Sequence, residues 1–395
     1  MIILGPLFPE EREREILRAS RRGISNAANT FQWNLIKGIQ ANTDERLTVI
    51  NALPVGTWPK NYRTVRLNDA NWSCECTSGH EIGCWNIPLI KQLMRMRKAR
   101  ALLQKYPDES NILICTAYLP FLWAVSKLSP EHKITAVITD IPEFYDMHRV
   151  SACRKLVRKL HCKIVYHFMK RVDQFVLLTE QMAMPLHVGS RPYIVMEGMC
   201  GDAADETAEP GLQPFSVLYT GRLNRRYGIE LLLNAMKELQ DPDIELWLCG
   251  SGEMEEEIRA YAAQDSRIRF FGFLPHEEAV RLQQQATVLV NPRTSQGEYT
   301  KYSFPSKTME YMASGRPVMM FRLEGIPQEY DDYLTYIPEE SAESIRDTIQ
   351  SLKGTPASEL NAIGARGREF VLMNKNRNVQ GLRVLKFIHE ERHGV

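Results

Sequence analysis

The sequence predicts a doubly wound α/β protein built in two halves. Short β-branched runs alternate with amphipathic helical stretches from one end of the chain to the other, the pattern of parallel strands covered by helices on both faces. The alternation breaks once, at the small, acidic, Pro- and Gly-punctuated stretch Gly201 to Pro214, and then starts afresh. The 395 residues suffice for two to three domains at ~150 residues each.

In the first half the strand candidates are Ile2 to Leu4, Leu47 to Asn51, Asn111 to Cys115, Ile134 to Thr139, Gln174 to Leu178 and Tyr193 to Met196, with helices such as Ala27 to Gln40 and Ile87 to Lys105 between them. In the second half strand Ser216 to Thr220 is followed by helix Ile229 to Leu239, strand Ile244 to Cys249 and helix Met254 to Ala263. Strand Ile268 to Phe271, helix His276 to Gln285, strand Thr287 to Val290, a helix near Ser306 to Ser314, a strand at Pro317 to Phe321 and closing helices complete the series. The expected domains are 1–200, a linker at 201–214, 215–375, and a helix over 376–395 that returns to the first domain. In such folds ligands sit beyond the carboxyl ends of the strands, so the working residues belong in the loops after each strand and the site between the halves.

Composition excludes several classes. Hydrophobic residues at 44%, charged at 25% and 44 Gly plus Pro fit neither a collagen-like, a disordered nor a coiled-coil chain. The start has no basic leader, and the Ser110 to Ser126 stretch, broken by Asn111, Thr116 and Pro120, reads as strand, turn and helix rather than a span; a cytoplasmic protein is expected. Eight cysteines in such a chain point to reduced thiols. Cys74, Cys76, His80 and Cys84 cluster in what reads as a loop, but one residue separates the paired cysteines where zinc sites use two, so no metal site is assigned.

Net charge is +1 overall but divides as +9 over residues 1–200, from 27 Lys/Arg and 18 Asp/Glu, and −8 over the rest, from 22 and 30. Eight Lys/Arg and no acid lie from Met147 to Val172 (Arg149, Arg154, Lys155, Arg158, Lys159, Lys163, Lys170, Arg171), interleaved with Leu156, Val157, Leu160, Ile164 and Val165. Lys91 to Lys105 adds six more. No nucleic-acid module accompanies these charges, so nucleic acid is not expected as a partner. A basic amphipathic helix at an anionic membrane surface is the functional reading, beside the plain one of a solvated helix face.

Three motifs are read as structure. Gly5-Pro-Leu-Phe-Pro9 after the first strand is no glycine fingerprint, which argues against a dinucleotide-binding dehydrogenase. Gly250-Ser-Gly252 runs into Glu253, Glu255, Glu256 and Glu257, charges that suit a helix dipole but repel phosphate, so it reads as a tight turn. Asp241-Pro-Asp243 precedes a strand and reads as a turn as well.

Two segments carry chemistry. After strand Ser216 to Thr220, Gly221 permits close approach of a ligand, and Arg222, Arg225 and Arg226 offer forked, permanently charged donors suited to a pyrophosphate; a bridge to an acidic neighbour is the alternative. After strand Thr287 to Val290, Pro305 and Ser306 suit a helix start, so amides near Ser306 to Thr308 can meet an anion, with Lys307 adding a charge. Glu310, one turn on, can accept hydrogen bonds from both hydroxyls of a ribose. A capped core helix with a surface glutamate is the plain alternative.

Gly221-Arg-Leu with Tyr227-Gly-Ile, Cys249-Gly-Ser-Gly, Phe271-Gly-Phe-Leu and Ser306-Lys-Thr-Met-Glu-Tyr-Met-Ala-Ser-Gly-Arg-Pro-Val318, in that order, resemble the donor domain of glycosyl-group-1, family 4 GT-B glycosyltransferases. The likeness is closest to bacterial members that build capsular, exopolysaccharide or lipopolysaccharide chains. It is specific over residues 215–325, and Gly5-Pro-Leu-Phe-Pro, Asn29-Thr-Phe-Gln-Trp33 and Leu178-Thr-Glu180 fit the same subgroup.

The resemblance implies a GT-B fold, two Rossmann-like domains facing each other across a cleft, and retaining transfer from a nucleotide sugar to a glycan or lipid-linked acceptor, with neither metal nor cofactor. It implies Glu310 on the ribose, Arg222 with Arg225 or Arg226 on the diphosphate, Ser306 to Thr308 on phosphate through amides, and Phe273 and Leu274 at the base. The family's lysine before the helix-opening glycine is Tyr227 here, and Tyr302 stands where its paired glutamate belongs. Gln296, Glu298, Tyr302 and Ser303 are the candidates for the donor sugar. Asn26, Asn29, Asp140, Glu143 and Glu180 are those for the acceptor. Two competing readings are a nucleotide-sugar epimerase on the same fold, which would form product without acceptor, and a non-catalytic GT-B partner subunit, motivated by Tyr302.

Overall fold

The computed structural model describes residues 1–21, 26–74, 77–144, 152–200 and 214–390. The chain divides into two units, Met1–Met199 with Arg377–Val395, and Cys200–Asn376.

In the first unit the chain runs β1 (Ile2–Gly5), α1 (Glu13–Ala19), α2 (Asn26–Gln40), β2 (Leu47–Asn51), β3 (Arg66–Leu67), β4 (Ala70–Cys74), β5 (Thr77–Glu81), β6 (Cys84–Trp85), α3 (Ile90–Leu103), β7 (Asn111–Cys115), α4 (Leu119–Val125), β8 (Lys133–Ile138), α5 (Ala152–Met169), β9 (Gln174–Leu177) and β10 (Tyr193–Val195). The eight-stranded sheet has the order β10-β9-β8-β7-β1-β2-β5-β4, parallel throughout except for β4 on β5. β3 and β6 form a separate antiparallel ribbon. In the large sheet β1, β2 and β9 are buried along their whole length, as strands covered on both faces must be.

The second unit runs β11 (Phe215–Arg222), α6 (Ile229–Glu238), β12 (Ile244–Ser251), α7 (Glu255–Gln264), β13 (Ile268–Gly272), α8 (His276–Gln285), β14 (Val288–Asn291), α9 (Lys307–Ala313), β15 (Val318–Phe321), β16 (Thr335–Ile337), α10 (Ala342–Gly354) and α11 (Ala357–Asn374). Six parallel strands in the order β13-β12-β11-β14-β15-β16 form its sheet. Alternate residues feed opposite cores, as the two-residue period of a strand requires. Val217, Tyr219, Leu246 and Leu248 meet α6, α7 and α10 on one face. Leu218, Trp247, Leu289 and Met320 meet α8, α9 and α11 on the other.

The last helix, α12 (Arg377–His389), packs within the first unit against α2. Glycines make that contact close: a Cβ on Gly38 would lie 2.0 Å from the Arg377 carbonyl oxygen, and one on Gly381 2.2 Å from the Gly38 carbonyl carbon. Gln174 and Lys133 fasten α12 further by donating to the carbonyls of Phe387 and Ile388.

Two expectations need correction. The stretch around Cys74, His80 and Cys84 is no loop but the β4–β5 hairpin and β6, with Gly79 lying under the Trp72 ring, where a Cβ would be 1.9 Å from Cε2. Cys76 lies outside the described residues. The helix expected from Ile87 begins only at Ile90, because Pro88 and the left-handed φ of 65° at Leu89 interrupt the ladder. Of the expected linker, residues 201–213 lie outside the described residues, as do Arg149 and the side chain of Arg154.

Candidate functional site

In the second unit the carboxyl ends of β11 and β14, which pair in parallel, deliver two loops to one place. Gly221 and Arg222 close β11. A Cβ on Gly221 would lie 2.7 Å from Lys307 Cε, so the Lys307 side chain crosses this glycine. Gly250, at the end of β12, sits where a Cβ would lie 1.7 Å from the Gly221 carbonyl oxygen, which fixes the path of that strand end. Gly228 has φ 77°, and a Cβ there would lie 1.8 Å from the Pro292 carbonyl oxygen. The loop after β11 is thereby pressed onto the loop after β14.

Glu310 is held from behind. Gln283 of α8, fully buried, donates through Nε2 to Glu310 Oε1 at 2.5 Å and to Thr220 Oγ1 at 3.1 Å. The Tyr311 hydroxyl accepts from the Thr220 amide at 2.8 Å and donates to the Thr220 carbonyl at 2.9 Å. Burial drives the Tyr311 phenol well above its ordinary value, so the hydroxyl stays a neutral donor and acceptor. The last buried residue of β11, a helix behind the sheet and the first turn of α9 are thus tied together, and the half-buried Glu310 carboxylate is fixed at the strand ends.

The three arginines after β11 divide. Arg225 is committed to acids: its guanidinium pairs with Glu230 at 2.8 Å and Glu257 at 2.6 Å, and its amide donates to Glu253 at 3.1 Å. It is the bridge to acidic neighbours, not an open phosphate cation. Arg226 lies over the Tyr227 ring at 5.1 Å, and Arg222 is exposed. The Tyr219 hydroxyl donates to the Arg222 carbonyl at 3.0 Å and so holds the turn.

On the α9 side, Ser306 is exposed at the N-cap, but the Thr308 amide already donates to the Pro305 carbonyl at 2.8 Å. The Thr308 side chain is fully buried and accepts from Asn291 at 3.3 Å, so Thr308 belongs to the core and leaves the amides of Ser306 and Lys307 as those an anion could take. Gln296 and Glu298 are exposed on the loop after β14, and the Tyr302 hydroxyl approaches Glu298 Oε1 at 3.4 Å. Ser303 Oγ donates to the Tyr299 carbonyl and accepts from Arg293. Phe273 is 76% exposed after β13, whereas Leu274 packs against the core and donates its amide to Cys249.

Sequence reasoning missed Gln283 and Arg293. Gln283 carries no signal of its own on a polar helix. Arg293 follows the end of β14, the same criterion that selected Arg222 after β11.

In the first unit Asp140 follows β8 and Glu180 follows β9, adjacent parallel strands. Asp140 keeps an open surface although protein atoms crowd it, and that desolvation raises its carboxyl against one hydrogen bond from Thr139. Glu143 accepts from the Tyr166 hydroxyl at 2.6 Å. Asn29 is 8% exposed, and its Oδ1 accepts from the Phe8 amide while Trp33 Nε1 donates to the Phe8 carbonyl. Asn29 therefore clamps the loop after β1, with Phe8, Trp33 and Lys37 around a cavity of about 200 Å³. The side chain of Asn26 lies outside the described residues. His80 is occupied on both nitrogens, by Asn71 at 2.8 Å and Tyr106 at 2.7 Å. No group of three His, Cys, Asp or Glu that could hold a metal occurs among the described residues.

Asp241-Pro-Asp243 is the expected turn, whereas Gly250 and Ser251 still belong to β12 and the expected tight turn begins at Gly252. The Gly252 amide donates to Glu255 at 3.0 Å, a helix-start cap, and Asp241 accepts from the Asp243 amide at 2.9 Å while pairing with Lys353.

Residues 214–353 match the family model described as glycosyl transferases group 1. Among curated proteins the chain is 24% identical over 173 residues to the putative colanic acid biosynthesis glycosyltransferase WcaL of Escherichia coli K12, a stretch covering 42% of this chain and 43% of that one. The chain thus aligns with less than half the length of that relative. Its fold is similar to that of sucrose-phosphate synthase from Thermosynechococcus elongatus, with a TM-score of 0.64 at 16% identity over 98% of this chain and 97% of the other. Anabaena HepE, solved in complex with UDP, is similar at TM-score 0.63 and 11% identity, over 99% and 100%. The chain has the α/β fold of the GT-B glycosyltransferases, and residues 214–353 of its second unit are a glycosyl transferases group 1 domain.

Proposed function

We propose that this chain is a glycosyltransferase that moves a sugar from a nucleotide-sugar donor to a glycan or lipid-linked acceptor in the synthesis of a bacterial capsule, exopolysaccharide or lipopolysaccharide, with retention and without a bound metal. One observation carries the reading: Glu310, buttressed by Gln283, stands at the same strand ends as Gly221 and the Lys307 side chain that crosses it. A carboxylate that accepts from two vicinal hydroxyls, next to a cation and a glycine that admits a ligand to the backbone, is what a nucleoside diphosphate needs. The name of the Escherichia coli relative and the UDP in the Anabaena structure support the same class of donor.

A diphosphate leaving group gathers negative charge as the glycosidic bond breaks. Fixed cations such as Arg222, Arg226 and Lys307 therefore stabilise the transition state more than the ground state. With retention, the departing phosphate can take the acceptor proton on the same face, so no second carboxylate of the hydrolase kind is needed.

Membrane proximity belongs to the same reading. Helix α5 turns Leu156, Val157 and Leu160 to solvent at 70%, 63% and 59% exposure, among Lys155, Lys159 and Lys163. Apolar side chains set among cations suit the surface of an anionic bilayer, where a lipid-linked acceptor would lie. No helix among the described residues is long and apolar enough to cross a membrane. Tyr302 in place of a carboxylate favours one second reading, a non-catalytic partner subunit.

Calorimetric titration with UDP, GDP, dTDP, CMP and NAD, on the wild type and Glu310→Ala, tests the proposal. Micromolar binding of one sugar-carrier nucleotide, weakened at least tenfold (~1.4 kcal/mol) in the variant, is expected. Binding of none supports the partner subunit, and binding of NAD alone refutes the donor site.

A further inference from the structure

Arg293 is half-buried and is paired with no acid among the described residues. Burial pulls its guanidinium below its ordinary value, with Arg226 adding like charge. Its contacts are a hydroxyl, Ser303 Oγ at 2.8 Å, and the Tyr299 ring at 5.3 Å, while Nε is buried with no hydrogen-bond partner. Among the described residues other buried or half-buried arginines have an acid or a backbone carbonyl as partner, although Arg95 Nε is likewise buried without one. Arg12 pairs with Glu81 and Arg267 with Asp265. Arg95 and Arg316 donate to the carbonyls of Leu53 and Gln284. A guanidinium cannot shed its proton, so a desolvated one facing a hydroxyl, a ring and a second arginine lacks its counter-charge.

Its place says what the counter-charge is. Arg293 lies two residues beyond Asn291, the end of β14, in the loop pressed onto Gly228, which brings it beside Arg226 and Tyr227. Arg222 and Lys307 attend the end of the neighbouring strand β11. Arg225, which the sequence offers for the same duty, is taken up by Glu230 and Glu257. Tyr227, in the same turn, brings a neutral ring rather than a charge. We infer that Arg293 is a diphosphate-binding residue, supplying from the loop after β14 the forked cation that Arg225 and Tyr227 do not. This rests on the nucleotide-sugar reading of the site and assigns it a ligand contact from a second loop.

The test uses the full chain as wild type, Arg293→Gln and Arg293→Lys, titrated with UDP, GDP and dTDP and with uridine, guanosine and thymidine. For whichever diphosphate the wild type binds, Arg293→Gln is expected to weaken it at least tenfold while its nucleoside binds within twofold of wild type. Arg293→Lys keeps the charge but not the fork and is expected to lose at least threefold, again for the diphosphate alone; it carries the test if the glutamine variant does not fold. Unchanged diphosphate affinity, or equal loss of diphosphate and nucleoside, overturns the inference by making Arg293 a structural residue. If the wild type binds no diphosphate, the nucleotide-sugar reading falls and this inference with it, a failure told apart because it needs no variant.

Discussion

Lys91 gives the sharpest test of the energetics of the first unit. It is 4% exposed on α3, and its ammonium donates to the Val55 carbonyl at 2.5 Å with the Arg95 guanidinium nearby. Desolvation, and secondarily Arg95, lowers its pKa to about 7. The unfolded chain holds this proton up to its ordinary value, so between the two values unfolding takes up a proton and stability rises with pH; below about 7 the contribution is flat. One proton corresponds to ~1.4 kcal/mol per pH unit, so from about pH 7.5 to 9.5 the wild type should gain roughly 2 kcal/mol that Lys91→Met does not. The methionine fills the space of the stem but leaves the Val55 carbonyl without this donor, at a cost of about 1–3 kcal/mol, so its gain is confined to the lower end of that range. Urea unfolding followed by tryptophan fluorescence reads it, because Trp33, Trp58, Trp72, Trp85 and Trp123 of the six tryptophans belong to the first unit. Stability curves of wild type and Lys91→Met that run parallel over this range would refute the reasoning and place a charged lysine in that site.

Arg222→Ala is expected to weaken nucleoside diphosphate binding about tenfold, whereas Arg225→Ala, whose charge is spent on Glu230 and Glu257, should leave it within about threefold and the melting temperature unmoved. Gln283→Leu removes a hydrogen bond to a carboxylate, a class worth about 1.5–3 kcal/mol, and should weaken diphosphate and nucleoside alike because it acts through Glu310 on the ribose; calorimetry that shows loss for the diphosphate alone would contradict this. Gly250→Ala, at φ 142° with a Cβ that would meet the Gly221 carbonyl at 1.7 Å, should lose about 1–3 kcal/mol of stability, read as a lowered melting temperature, together with nucleotide affinity.

The central parallel strands such as β1, β2, β9 and β11 were legible because they are apolar runs buried on both faces, with ends that shift by only a residue or two, as with Phe215–Arg222 for an expected Ser216 to Thr220; the short, half-buried edge strand β16 (Thr335–Ile337) was not expected. The β4–β5 hairpin was not. Ala-Asn-Trp-Ser-Cys and Thr-Ser-Gly-His-Glu contain no such run, and β5 buries Thr77, Gly79 and Glu81 in alternation, held by pairing with β2 rather than by its own hydrophobicity. Glu310 and Lys307 were readable from a local helix signal. The commitment of Arg225 was not, because Glu257 lies 32 residues away and only the fold of α7 beside β11 brings it near. Asn29 shows the same limit: a polar residue on a helix reads as a ligand contact until its side-chain carbonyl is found on the Phe8 amide.

The second unit, residues 200–376, holds 18 Lys/Arg against 28 Asp/Glu, which raises the question of how an acidic unit would hold an acidic ligand. The described acids answer it by position. Glu255, Glu256 and Glu257 fill the first turn of α7, where the helix dipole favours them, and Glu230 and Glu257 neutralise the Arg225 guanidinium. Arg222, Arg226, Arg293 and Lys307 are left at the ends of β11 and β14 without a paired carboxylate among the described residues, so the local field there is positive inside a net-negative unit. Fields of that kind are focused by low-dielectric walls and fall with ionic strength. Nucleotide binding here should therefore weaken as salt rises, which a site filled by the unit's average charge would not do. The slope should be shallower in Arg293→Gln than in Arg225→Ala, since only the first removes a charge that faces the ligand.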